Sequence, residues 1–379
     1  MLNVFLTASV SFVITFLTIP VIMKVAEQKK LYDLPDSRKL HTKPIASLGG
    51  IGIFGGFFLA ALLAVSGRSN PEFQYFFASA LVVFFLGLKD DIIVISPTKK
   101  FVGQLVAAAI LIHLGGLRIQ SMHGLFGYYE LPEAFSLALS YATIIVVTNA
   151  FNLIDGIDGL AGSLGLLTMC VFGAFFFMNG LTAYSILAFA MAGSLFAFLI
   201  FNYNPAKIFM GDSGSLLLGL INAILVIKFI TIADSKTITY PVESAVAVGF
   251  SILMVPLADT LRVFSIRIVH GRSPFSPDRN HIHHLLLDRG LNHKYVTASC
   301  LILNVLFISM AYFGRSLGPN YVFASMATVC FTLLFILFYH KKPVKNSAAL
   351  DELQQNADAS IPPTTKVVPL NIESAVAEN

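Results

Sequence analysis

Long apolar runs separated by short polar stretches dominate this chain. Runs able to cross a hydrocarbon core, which takes about 20 helical residues with some tolerance, fall at residues 2–23, 47–66, 73–88, 101–117, 135–151, 160–178, 182–200, 214–232, 243–265, 297–314 and 320–339. The pattern predicts an all-α, polytopic integral membrane protein with about eleven transmembrane helices. Between the fourth and fifth runs, "GLRIQSMHGLFGYYELP" has two short alternating segments around Gly124, which predict a small hairpin on the outer side. There is no internal repeat, which disfavours inverted-repeat transporters. From Ala348 the chain turns polar and proline-bearing, as in "DELQQNADASIPPTTK". The expected organisation is one transmembrane domain over residues 1–340 and a disordered cytoplasmic tail over 341–379.

Composition strengthens this picture. Charged residues are 12% of the chain and hydrophobic ones 56%, against about 25% charged in an ordinary soluble domain. Too few polar residues remain to clothe a soluble surface, so much of the surface faces lipid. Cys170, Cys300 and Cys330 lie in apolar runs without CxxC spacing, which argues against a disulfide framework or thiolate metal site. The first run lacks a preceding basic residue and a following small-residue cleavage site, so it is expected to stay as a span. The odd-numbered loops and the tail hold 19 lysines and arginines, while the opposite side holds five: Arg68, Arg118, Lys228, Lys236 and Arg315. By the positive-inside rule the odd loops and C-terminus are cytoplasmic and the N-terminus is outside.

The polar clusters all fall on that cytoplasmic side: "GLKDDIIVISPTKK", "NAFNLIDGIDGL", "FNYNPAKIFMGDSGS" and "GRSPFSPDRNHIHH". Adjacent Asp90 and Asp91 repel one another and ask for a divalent cation, a basic neighbour or a shared proton. Side chains of neighbours on a helix diverge by about 100°, so the two should have different partners. Asn152, Asp155 and Asp158 follow i, i+3 spacing, which predicts a polar row on one helical face. The spacing does not match a calcium loop. Asp212, between glycines at the start of a span, suits either a helix N-cap or a magnesium–phosphate contact. His281, His283 and His284 beside Arg279 fit a phosphate-binding pocket better than zinc, since no matched ligand pair accompanies them. Hard oxygen donors, a basic loop and no soluble catalytic domain point together to phosphoryl-type transfer at a membrane surface.

At these residues the chain resembles the polyprenyl-phosphate N-acetylhexosamine-1-phosphate transferase family, of the glycosyltransferase 4 type. The resemblance runs from "RKLHTKPIASLGGIGIF" to about residue 295, and "DGIDGLAG" with "FMGDSGS" are specific together. "SPFSPDRNHIHH" is similar to the bacterial undecaprenyl-phosphate GlcNAc-1-phosphate branch. The resemblance implies a magnesium-dependent phosphoglycosyl transferase, with manganese as a substitute ion. Its donor is a UDP-sugar and its acceptor a polyprenyl phosphate, giving UMP and a diphosphate-linked lipid that begins an envelope polysaccharide. It implies Asp212 and Asn152 as metal ligands, Asp90 as the group receiving or deprotonating the lipid phosphate, Asp91 as its acidic neighbour and Lys100 as a phosphate-binding lysine. Asp155 and Asp158 correspond to the nucleoside side, and Arg279, His281, His283 and His284 to the loop over diphosphate and sugar. It further implies the bacterial inner membrane, a homodimer and no nucleic-acid partner.

Two other classes were weighed. A secondary transporter of an anionic solute would place its ionisable residues near mid-span, whereas here they lie in loops. A CDP-alcohol phosphotransferase would need a D-G-x-x-A-R signature, but Asp158-Gly159 is followed by Leu160, Ala161 and Gly162.

Overall fold

The computed structural model describes residues 2–29, 31, 45–271 and 281–339. Residues 1–337 form one compact unit. A second, Phe338–Asn379, is described only at the end of its entering helix, so the tail expected to be disordered lies outside the described residues.

The predicted runs are all helical. They form α1 (Leu2–Lys29), α2 (Gly49–Ala64), α3 (Phe73–Ile92), α4 (Pro97–Ala109), α5 (Glu133–Ile154), α6 (Leu160–Met178), α7 (Thr182–Asn202), α8 (Gly211–Ile232), α9 (Ala245–Ile252), α10 (Met254–Val269), the short α11 (Ile282–Leu287), α12 (His293–Gly314) and α13 (Pro319–Tyr339). Seven are long and apolar enough to span a membrane, and α9 with α10 makes an eighth. The expected count of eleven therefore becomes seven or eight by length and composition. The others are helices too, but α2 has 16 residues, α3 ends on Lys89, Asp90 and Asp91, and α4 gives way to a π-helical turn at Ile110.

α8 is the centre of the bundle. Every residue from Ser213 to Ile227 is buried, as expected of a helix that is apolar all round and enclosed by others. α2, α3 and α5 approach its N-terminal half through small residues, the usual way for spans to pack closely. A Cβ on Gly87 of α3 would lie 2.5 Å from the Asp212 carbonyl, so only glycine lets α3 come this near. The approach sets the distance between Asp90 and Asp91 of α3 and Asp212 of α8.

The run at 243–265 is broken rather than straight. α9 and α10 meet at 83°, and Pro256, which has no N–H to give, sits in the first turn of α10. The break frees backbone groups that lipid could not satisfy. Buried Asn304 of α12 serves them: its Nδ2 donates to the Ile252 carbonyl at 2.9 Å and its Oδ1 accepts from the Val255 N–H at 3.1 Å. The bend lays α10 against α5. On the other side of the bundle the expected hairpin forms as backbone bonds, Met122 N–H to Tyr129 O and Leu131 N–H to Gln120 O, around Gly124 at φ +84°. It is too short to make strands, leaving one antiparallel bridge, Ser121 with Glu130.

Candidate active site

The ends of α3 and α5 and the starts of α4 and α8 meet at one place. The Ile95 N–H donates to Asp90 Oδ1 at 2.7 Å, which closes the α3–α4 turn and sets Ser96-Pro97 at the head of α4. Lys100 then projects from the first turn of α4. Its ammonium donates to Asp90 Oδ2 at 3.3 Å, to Asn152 Oδ1 at 3.3 Å and to Asp212 Oδ2. Asn152 Nδ2 donates to Asp212 Oδ1 at 2.7 Å and to Ser215 Oγ at 2.9 Å. Asp90, Asn152 and Asp212, which lie 10, 52 and 112 positions from Lys100 in sequence, thus share its ammonium.

Asp91 faces the other way, as the divergence of helical neighbours requires. Its Oδ1 accepts from the Asp212 N–H at 2.6 Å, and its Oδ2 from the Ser213 N–H at 3.0 Å and Ser213 Oγ at 2.6 Å. It caps α8 from another helix. Gly211, at φ +71°, admits it, for a Cβ there would lie 2.7 Å from Asp91 Oδ1. Capping had been one of two readings for Asp212; Asp91 supplies it instead, and both Asp212 oxygens are left for Lys100 and Asn152. Asp91→Ala is expected to lower stability by about 1–2 kcal/mol, as loss of a charged cap does, read from the thermal midpoint of detergent-purified protein.

The expected helical row from Asn152 through Asp158 is not continuous. α5 ends at Ile154, and residues 155–159 form a turn that Gly159 closes at φ +76°. Asp155 therefore leaves the face on which Asn152 lies. Burial, then the charges of Asp212, Asp91 and Asp158, push its carboxyl up to about 8. Asp158 turns toward the α7–α8 loop and α12, where its Oδ2 accepts from Asn204 Nδ2 at 2.8 Å and the Ala206 N–H at 3.1 Å, with His293 Nδ1 at 3.5 Å. Burial would raise the Asp158 carboxyl, but His293 and these donors outweigh it and hold it below the ordinary range. Asp155 is protonated in the folded, metal-free protein at pH values where the unfolded chain has ionised it. The Asp155 contribution to folding stability therefore falls as pH rises from about 4 to about 8 and levels beyond. Asp155→Asn should remove that slope, and in EDTA its thermal midpoint should exceed the wild-type value by a margin that grows up to about pH 8.

Two of the three histidines point inward, not into an open phosphate pocket. His281 Nδ1 meets Asp259 Oδ2 at 2.8 Å, while Asp259 Oδ1 accepts from the Ile282 N–H at 2.7 Å. His283 is buried with Nδ1 lacking a hydrogen-bond partner among the described residues. Its ring lies on Gly156: a Cβ there would sit 2.3 Å from His283 Nε2. The first glycine of "DGIDG" thus makes room for an imidazole. Burial pushes His283 down to about 3, with the Asp259 charge opposing and the neighbouring histidines reinforcing the shift, so it stays neutral. The His284 ring lies beside it, tilted by 45° with 4.4 Å between ring centroids. Arg279 lies outside the described residues.

Beside Lys100 is a cavity of ≈ 170 Å³ lined by Asp90, Gln104, Asn149, Asn152, Phe264 and Arg267, among others. Gln104 and Asn149 exchange hydrogen bonds in its wall at 3.2 and 2.7 Å. The sequence reading missed Asp259, Arg267, Gln104 and Asn149. The signal for Asp259 and Arg267 was their charge within or beside an apolar run, a standing reason to suspect function. Among the described residues no three His, Cys, Asp or Glu side chains converge as a metal-binding group. The oxygens gathered round the Lys100 ammonium, two carboxylates and an amide carbonyl, nevertheless form a hard donor set already holding a cation. Such a set fits magnesium, which keeps several waters and takes only one or two carboxylates.

The model of glycosyl transferase family 4 matches residues 73–230, the stretch from α3 to α8 that carries Asp90, Lys100, Asn152 and Asp212. The chain is 31% identical over 323 residues to an undecaprenyl-phosphate alpha-N-acetylglucosaminyl 1-phosphate transferase of Yersinia pestis, covering 83% of this chain and 85% of that one. It is 31% identical over 307 residues to a probable undecaprenyl-phosphate N-acetylglucosaminyl 1-phosphate transferase of Bacillus subtilis, covering 79% and 82%. Its identity to the Escherichia coli K12 transferase is 29% over 320 residues, 83% and 84% of the two chains. With relatives 31% identical aligned over most of both chains, the chain belongs to glycosyl transferase family 4.

Proposed function

We propose that this multi-pass membrane protein transfers N-acetylglucosamine 1-phosphate from UDP-GlcNAc to undecaprenyl phosphate and releases UMP. The observation that carries the reading is the convergence of Asp90, Asn152 and Asp212 on Lys100 beside a cavity whose other walls hold Arg267 and apolar side chains. A phosphate on a greasy tail asks for that mixture. In the reaction an acceptor phosphate oxygen forms a bond to the sugar-bearing phosphorus of the donor. The bond from that phosphorus to the bridging oxygen breaks, and UMP leaves with the electron pair.

Asp212 and Asn152 would hold a magnesium ion, which supplies charge neutralisation to the diphosphate. Lys100 brings positive charge to the acceptor phosphate, and Asp90 takes its proton if it arrives protonated. An anionic phosphate needs positioning more than activation, so direct attack is favoured over an intermediate on an aspartate. Asp155, protonated, would donate a hydrogen bond to the nucleoside. The site faces the cytoplasm of a bacterial inner membrane, where the UDP-sugar is supplied. Purified protein incubated with undecaprenyl phosphate, magnesium and a panel of UDP-sugars should release UMP fastest with UDP-GlcNAc. A solute flux into vesicles without UMP release would favour transport instead.

A further inference from the structure

The position of the Lys100 ammonium has a consequence for how the site loads. Asp90 Oδ2, Asn152 Oδ1 and Asp212 Oδ2 all accept from it, and its side chain and those of Asp90 and Asp212 are 17%, 16% and 27% exposed. Of these, the Asn152 and Asp212 oxygens are the ones a magnesium ion would take, at about 2.0–2.1 Å. A cation at that distance from the Asp212 and Asn152 oxygens would overlap the space the ammonium fills, and two like charges so close in a partly buried site repel strongly. Both cannot occupy it.

We propose that Lys100 is a built-in counter-ion that holds the metal site shut in the empty enzyme and is displaced when a divalent cation binds. The inference rests on the metal reading given above and adds an order of events to it. Without a metal ion, the Asp90 and Asp212 carboxylates, which add to the negative charge near Asp91 and Asp155, are partly neutralised by the Lys100 ammonium. With one, the ammonium is released on its flexible four-carbon stem next to the cavity lined by Arg267 and Asn149. There it meets an anionic phosphate group. The metal therefore arms the lysine, and the coupling runs both ways: a phosphate that captures Lys100 also favours metal binding.

The test uses the full-length detergent-purified protein and Mn²⁺ alone, followed by the EPR signal of free aquo ion with no substrate present. Lys100→Gln should bind Mn²⁺ about tenfold more tightly than wild type, a shift within the usual range for coupled sites. Equal or weaker binding by Lys100→Gln overturns the proposal. Asp212→Asn is the control for the underlying reading: if it binds Mn²⁺ as well as wild type, the metal is not held here and both ideas fall. Should Lys100→Gln not fold, reductive methylation of wild-type lysines, read by peptide mass spectrometry, decides. Lys100 should be modified several-fold faster with saturating Mn²⁺ than in EDTA, and a rate unchanged by Mn²⁺ overturns the proposal.

Discussion

Asp212→Asn should abolish UMP release, by about 10³-fold or more, while the protein remains folded. Asp212 is the residue on which the cluster turns: Oδ2 faces the Lys100 ammonium and Oδ1 the Asn152 amide. Removing one preorganised charged group at a reacting centre costs about 10²–10³-fold, and in the proposed reaction this one would also hold the magnesium ion. The effect on folding should be small. Asp212 lies among Asp90, Asp91 and Asp155, so the neutral amide relieves repulsion while it gives up the lysine. Equal thermal midpoints with lost activity would place the effect in the chemistry, and a midpoint lowered in step with activity would place it in the fold.

Gly87→Ala should cost about 10²-fold in activity and some stability, though Gly87 touches no reacting group. Its Cβ would lie 2.5 Å from Asp212 C and O and from the Ser213 amide nitrogen, all backbone atoms that cannot swing aside. α3 must back away from α8, carrying Asp90 and Asp91 with it. A shift of about 1 Å in a catalytic constellation is enough for a loss of that size, and overpacking of this kind costs about 1–3 kcal/mol. Gly55→Ala is the matched control, because a Cβ there meets nothing within 4 Å; it should leave both activity and midpoint unchanged.

Helix positions were largely legible because lipid and core demand continuous apolar runs. The run 160–178 coincides with α6, and 182–200 lies within α7. The break between α9 and α10 was not anticipated: Pro256 lies beside it, but the Asn304 that satisfies the freed backbone groups comes from a distant helix. The residue types of the site were legible too, as acidic clusters in a chain otherwise poor in charge. Their division of labour was not. Spacing put Asp155 and Asp158 on one helical face, but spacing carries no information on where the helix stops, and Gly156 and Gly159 end it. Nor could it say that Asp91 would cap α8, or that His281 would be spent on Asp259 and His283 on Gly156. Those contacts join positions far apart in the chain and depend on the packed fold.

The central claim is that the sugar moves together with its phosphorus. It is tested most directly with UDP-GlcNAc carrying ³²P at either the α or the β position, incubated with the purified protein, undecaprenyl phosphate and magnesium. Label from the β position should appear in the lipid extract and label from the α position in UMP, one for one. Release of UDP retaining both labels, or lipid that gains GlcNAc without phosphorus, would contradict the account.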